Sequence, residues 1–149
     1  MRCHTGVSKS KERIKNMDEI NNIKLIVPED CGNAPRKLIL RDFNIAIITN
    51  KQDFLLDNIA DNISWNIIGQ SLVEGRDNFI GKINEINHNM VTKLEFYNII
   101  THGYTASANG KLTLEEKIYD FCHVYRFTSA GKKAKIKEIT SYIITRERT

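Results

Sequence analysis

What the sequence lacks narrows it first. Its 149 residues contain no apolar run of roughly 18, so a membrane-spanning helix is not expected. The basic N-terminus is not followed by the apolar core of a secretion signal. Cysteine is scarce, and Cys3, Cys31 and Cys122 stand at unrelated spacings with no C-x-x-C pair. That excludes a disulfide framework or a zinc ribbon and reads as reduced thiols in a cytoplasmic protein. The four histidines, His4, His88, His102 and His123, are scattered and have no carboxylates at metal-ligand spacing. No metal and no cofactor are therefore expected. Internal repeats and low-complexity tracts are absent.

What is present suits one domain. A hydrophobic share of 41% is ordinary for a globular chain. At this size about 68–70% of the unfolded chain's surface can be buried. The net charge of +4 suggests nucleic acid until its location is read. Residues 1–16 hold Arg2, Lys9, Lys11, Arg13 and Lys15 against one acid, Glu12, so acids and bases balance from Met17 onward. The domain is neutral, and neither nucleic acid nor membrane is expected as a partner. The tail reads either as an extension outside the domain, with Met17 as an alternative start, or as an electrostatic arm.

Ile14, Met17, Ile20 and Ile23 recur every three residues, a hint of a short helix before Pro28 and the turn EDCGN. A helix is predicted with Asn33 as N-cap and Pro35 in its first turn, with Ile39, Leu40, Phe43, Ala46 and Ile47 on one face. After TNK, the segment QDFLLDNI reads as a second helix. NISWNII reads as a strand and SLVEGR as a short extended piece. Asp77 is the expected cap of a third helix, whose Phe79, Ile80, Ile83 and Ile86 share a face and which ends near His88.

Three long extended segments follow, Val91 to Thr105, Leu112 to Thr128 and Ala134 to Thr145, joined by SANGKL and TSAGKK as hairpin turns. At about 3.3 Å per residue each would run roughly 40–55 Å if straight, so they must bend. Gly103 is the expected kink in the first. A strongly curved antiparallel sheet has a concave face, and three amphipathic helices packed on it give an α+β domain. Residues 1–32 are then an N-terminal extension, partly disordered, and residues 33–149 the domain.

The order and spacing of three segments resemble the nuclear transport factor 2-like superfamily, and within it the SnoaL-like branch. DNISWNIIG is similar to the family's first strand, VEGRDNFIGKINEI to the entry of its third helix, and HVYRFTSAGKKAKIKEITSYI to its last hairpin. The resemblance covers about residues 33–146. It implies the cystatin-like, cone-shaped fold shared with ketosteroid isomerase and limonene epoxide hydrolase, with helices closing a pocket, and commonly a homodimer through the outer sheet face. It does not imply one reaction.

Alternation along YDFCHVYRF puts Tyr119, Phe121, His123, Tyr125 and Phe127 on one face and Cys122 on the other. The aromatic face is placed inside, which makes His123 the candidate acid/base and makes a Cys122–His123 nucleophilic pair unlikely on geometry. The last strand pairs Lys137, Ile139, Ser141 and Ile143 against Ile136, Glu138, Thr140 and Tyr142. The first long strand puts Leu94, Phe96, Asn98, Ile100, His102 and Tyr104 together. The resemblance implies that Trp65 and Asn66 lie at the pocket mouth. In the epoxide-hydrolase pattern it implies a carboxylate near Ser141 and an arginine near Phe121, and both are missing. In the ketosteroid-isomerase pattern Tyr119 or Tyr142 would supply a hydroxyl, with no evident acid partner. The candidate site is thus His123 with Trp65, Asn66, Tyr119, Phe121 and Ser141 around a small apolar molecule. Three functions compete: a ligand-binding protein; an isomerase, dehydratase or cyclase of a carbonyl or polyketide-like substrate; and a non-catalytic dimeric interaction module.

Overall fold

Pro35 opens the first helix, α1 (Pro35–Thr49), where its missing amide proton would have had no partner. The N-cap is Ala34, which makes no side-chain hydrogen bond, and the expected cap Asn33 lies outside the described residues. The TNK interruption is a left-handed Asn50 with φ of 57°, whose N–H donates to the Ala46 carbonyl. The second helix, α2 (Gln52–Asn58), is short. The third, α3 (Arg76–Asn84), starts after Gly75 with φ of 88°. Asp77 is therefore not its cap but a first-turn acid, favourably placed at the positive end of the helix dipole. The computed structural model describes residues 17–20, 22–28, 34–86 and 90–148; His4, His88, Cys3 and Cys31 fall outside them.

The strands are β1 (Met17–Ile20), β2 (Ile23–Ile26), β3 (Ile59–Ile67), β4 (Ser71–Glu74), β5 (Val91–His102), β6 (Thr105–Leu114), β7 (Lys117–Phe127) and β8 (Ile136–Glu147). They form one sheet in the order β1-β2-β5-β6-β7-β8-β3-β4. The three helices lie on its concave face, an α+β arrangement. The sheet is mixed rather than antiparallel throughout, because β2 runs parallel to β5 and β3 parallel to β8. The three-residue spacing near the N-terminus does not make a helix over Met17 to Ile23. Strands β1 and β2 pair there, with Asn22 at a φ of 69° between them, and Ile23 and Leu25 are buried.

The long C-terminal region holds four strands, not three. Gly103, expected as a kink, is the β5–β6 turn at a φ of 60°. SANGKL, expected as a turn, lies inside β6. Gly110 faces Phe96 where the register slips past Tyr97, and a Cβ there would collide with the Glu95 backbone. This bulge bends the sheet and changes which side chains face inward. Phe96 is buried while Asn98, Ile100 and His102 are exposed, so they do not share one face. A second slip, at Lys137, turns Ile136 into the core on the same side as Ile139 and Ser141.

The core is aromatic where helices meet sheet. Phe43 of α1 and Phe79 of α3 stand 6.2 Å apart. Phe79 packs on Trp65 of β3 at 5.3 Å, and Phe43 meets Tyr125 of β7 edge-on at 6.4 Å. The last hairpin loop is tied down by Arg36. Its guanidinium lies 4.1 Å over Phe127 and donates to the Ser129 and Gly131 carbonyls.

Candidate functional site

The helices and the sheet do not close completely. A cavity of about 510 Å³ remains between α1, the end of α3 and strands β3 and β5–β8. Ile47 and Ile48 wall it from α1, Val91 and Leu94 from β5, and Leu112 and Leu114 from β6. Its charged lining residues, Lys82 and Glu85, pair with each other at 3.4 Å, with 70% of the Glu85 side chain exposed. The only lining carboxylate among the described residues is thus already partnered and at the rim.

Alternation along β7 brings Tyr119, Phe121 and His123 to the cavity wall. The His123 ring stacks on Phe121 with centroids 4.8 Å apart. Its Nδ1 lies 2.7 Å from Ser141 Oγ on β8, in the register that pairs His123 with Ser141. Ser141 is fully buried behind the wall and does not line the cavity, and its Oγ accepts from Trp65 Nε1 at 2.8 Å. Trp65 does line it. The geometry thus joins Trp65, Ser141 and His123 in one chain of hydrogen bonds beside Phe121 and Tyr119. Burial pushes the His123 pKa down to about 4, so the ring is neutral at physiological pH.

Asn66 is not part of this group. It follows Trp65 by one residue, so the pleat turns it outward, where it is exposed. Tyr142 is also on the outer face and half exposed, and Glu138 pairs there with Arg126 at 3.7 Å. Cys122 is a free thiol on the face opposite His123. His102 is exposed at the end of β5, where its carbonyl accepts from Thr105 Oγ1.

Sequence reasoning missed Asn44. It is 6% exposed, lines the cavity, and donates from Nδ2 to the Leu40 carbonyl and to Tyr125 Oη, at 2.8 and 2.9 Å. The signal was available, since Asn44 stands four residues after Leu40 inside the apolar stripe of α1. Burial pushes the Tyr125 phenol pKa up, so it stays protonated.

Solved structures resemble this architecture over most of its length. One is an NTF2-like protein of unknown function from Cytophaga hutchinsonii, 24% identical, with a TM-score of 0.59 over 72% of this chain and 98% of that one. The fold is that of the nuclear transport factor 2-like superfamily. An LEH-like epoxide hydrolase of M. tuberculosis is 14% identical, with a TM-score of 0.53 over 72% of this chain and 80% of its own. The epoxide hydrolase/cyclase-like enzyme SalBIII, described for pyran ring formation in salinomycin, is 15% identical, with a TM-score of 0.59 over 76% and 96%. No protein-family model and no curated protein matches the sequence. In this chain, Ser141 and Phe121 stand near the positions where the epoxide-hydrolase resemblance implies a carboxylate and an arginine. Neither can ionise.

Proposed function

We propose that this SnoaL-like protein binds a small, mostly apolar molecule in the cavity between helices and sheet, without proton transfer at His123. One observation carries this reading: a cavity of about 510 Å³, large enough for a small organic molecule, has a mostly apolar wall and no free carboxylate among its described lining residues. A general base works best with a pKa near the operating pH, and a ring held near 4 is a poor one at pH 7. The reading includes a homodimer through the outer sheet face and, with Cys122 a free thiol, a reducing cytoplasmic setting.

Thermal unfolding in the presence of uncharged aromatic and alicyclic compounds tests it. A binder at 100 times its Kd should stabilise by about 2.7 kcal/mol and raise Tm by roughly 5–10 °C. A panel with no stabilising member would remove the reading. Turnover of a carbonyl substrate that disappears in His123→Ala would replace it with the isomerase, dehydratase or cyclase reading.

A further inference from the structure

The hydrogen-bond chain behind the cavity wall has a direction, and one end fixes it. An indole nitrogen can only donate. Trp65 Nε1 therefore donates to Ser141 Oγ. Ser141 is fully buried, and its hydroxyl still has its own proton to place. The other polar side-chain atom bonded to it among the described residues is His123 Nδ1. If Nδ1 carried the imidazole proton, Ser141 Oγ would accept twice and its own proton would be stranded, an arrangement that buried hydroxyls avoid. The hydroxyl donates to Nδ1 instead. A neutral imidazole has one N–H, so the proton lies on Nε2.

The rest of the ring is accounted for. One face stacks on Phe121 and the Nδ1 edge is taken by Ser141, which leaves the Nε2 edge to the cavity the ring lines. Nε2 has no hydrogen-bond partner among the described residues, and the cavity's Lys82 and Glu85 are engaged with each other. A fixed donor therefore stands in a wall that is mostly apolar, with Asn44, Gln70, Tyr119 and Thr145 as its other uncharged polar side chains.

We propose that the ligand is an uncharged apolar molecule bearing an acceptor oxygen, such as a ketone, and that its carbonyl accepts from His123 Nε2–H. This rests on the ligand-binding reading above and narrows it. Trp65 and Ser141 are positioning residues that hold the tautomer and never touch the ligand oxygen.

Benzophenone and diphenylmethane make a matched test, because they differ only in a carbonyl against a methylene. Calorimetric titration should give wild-type protein about five- to tenfold tighter binding of the ketone, the worth of one neutral hydrogen bond, with the preference lost in His123→Phe. Long-range proton–nitrogen NMR of the wild-type imidazole should show Nε2 protonated and Nδ1 bare, and Ser141→Ala should mix the tautomers. The NMR measurement needs no variant to fold. Equal affinity for the two probes, or a proton on Nδ1, overturns this proposal and leaves the ligand-binding reading intact. Binding of neither probe overturns both.

Discussion

His123 is stacked on Phe121, bonded at Nδ1 to Ser141 and faced by no free acid among the described lining residues. Its burial has a consequence for stability. The unfolded chain takes up a proton at this ring near 6.5, the folded chain only near 4. Between those values the unfolded state binds more protons, so stability falls as pH falls through that window and loses nothing more from this group below it. The loss is at most about 3 kcal/mol. Melting curves from pH 7 to pH 4 should fall less steeply for His123→Phe than for wild type; parallel curves would contradict the assignment. The inward positions of Phe121 and His123 were legible in the alternation of their strand, whereas Trp65 was placed at the pocket mouth only by the family resemblance. Asn66 fails that same rule, since a residue next to Trp65 cannot share its face. Asn44 escaped because a stripe read only through its apolar members hides a polar member whose partner, Tyr125, is 81 residues away.

Secondary elements were most legible where local chemistry decides them. Pro35 and Asn50 mark helix ends, and the TSAGKK loop joins β7 to β8, whereas the third helix starts after Gly75 and not at the expected cap Asp77. Strand β6 was hidden by Asn109-Gly110, a strong hairpin dipeptide that here lies mid-strand. The glycine is needed for space rather than for a turn, since the Glu95 backbone occupies the volume of a Cβ. Only the tertiary pairing of β5 with β6 reveals that. Gly110→Ala should therefore destabilise by about 1–3 kcal/mol, as overpacking does. Urea unfolding measures it, and a midpoint unchanged from wild type would show that the strands can part without cost. Alanine at Gly131, where the nearest neighbour is a side chain, is the matched control.

The whole molecule presents two unequal sheet faces. The inner one is covered by helices. The outer one exposes Tyr97, Ile100, Val124, Tyr142 and Ile144 on β5, β7 and β8. Val124 and Tyr142 are diagonal neighbours on adjacent strands, since Val124 faces Thr140 and Cys122 faces Tyr142, while Ser107 of β6 lies between Val124 and Ile100. A second copy laid on this face would need to bury roughly 800 Å² per partner. Light scattering at micromolar concentration is expected to give twice the 17.2 kDa chain mass, and Val124→Arg should return it toward the monomer. A wild-type monomer would rule the dimer out. The parallel seam between β3 and β8 also sets an order in time. β8 lies between β7 and β3, and Trp65 waits 76 residues for Ser141. During synthesis, then, β3 and β4 leave the ribosome with their β8 edge unpaired. The cavity wall can form only after β8 has emerged.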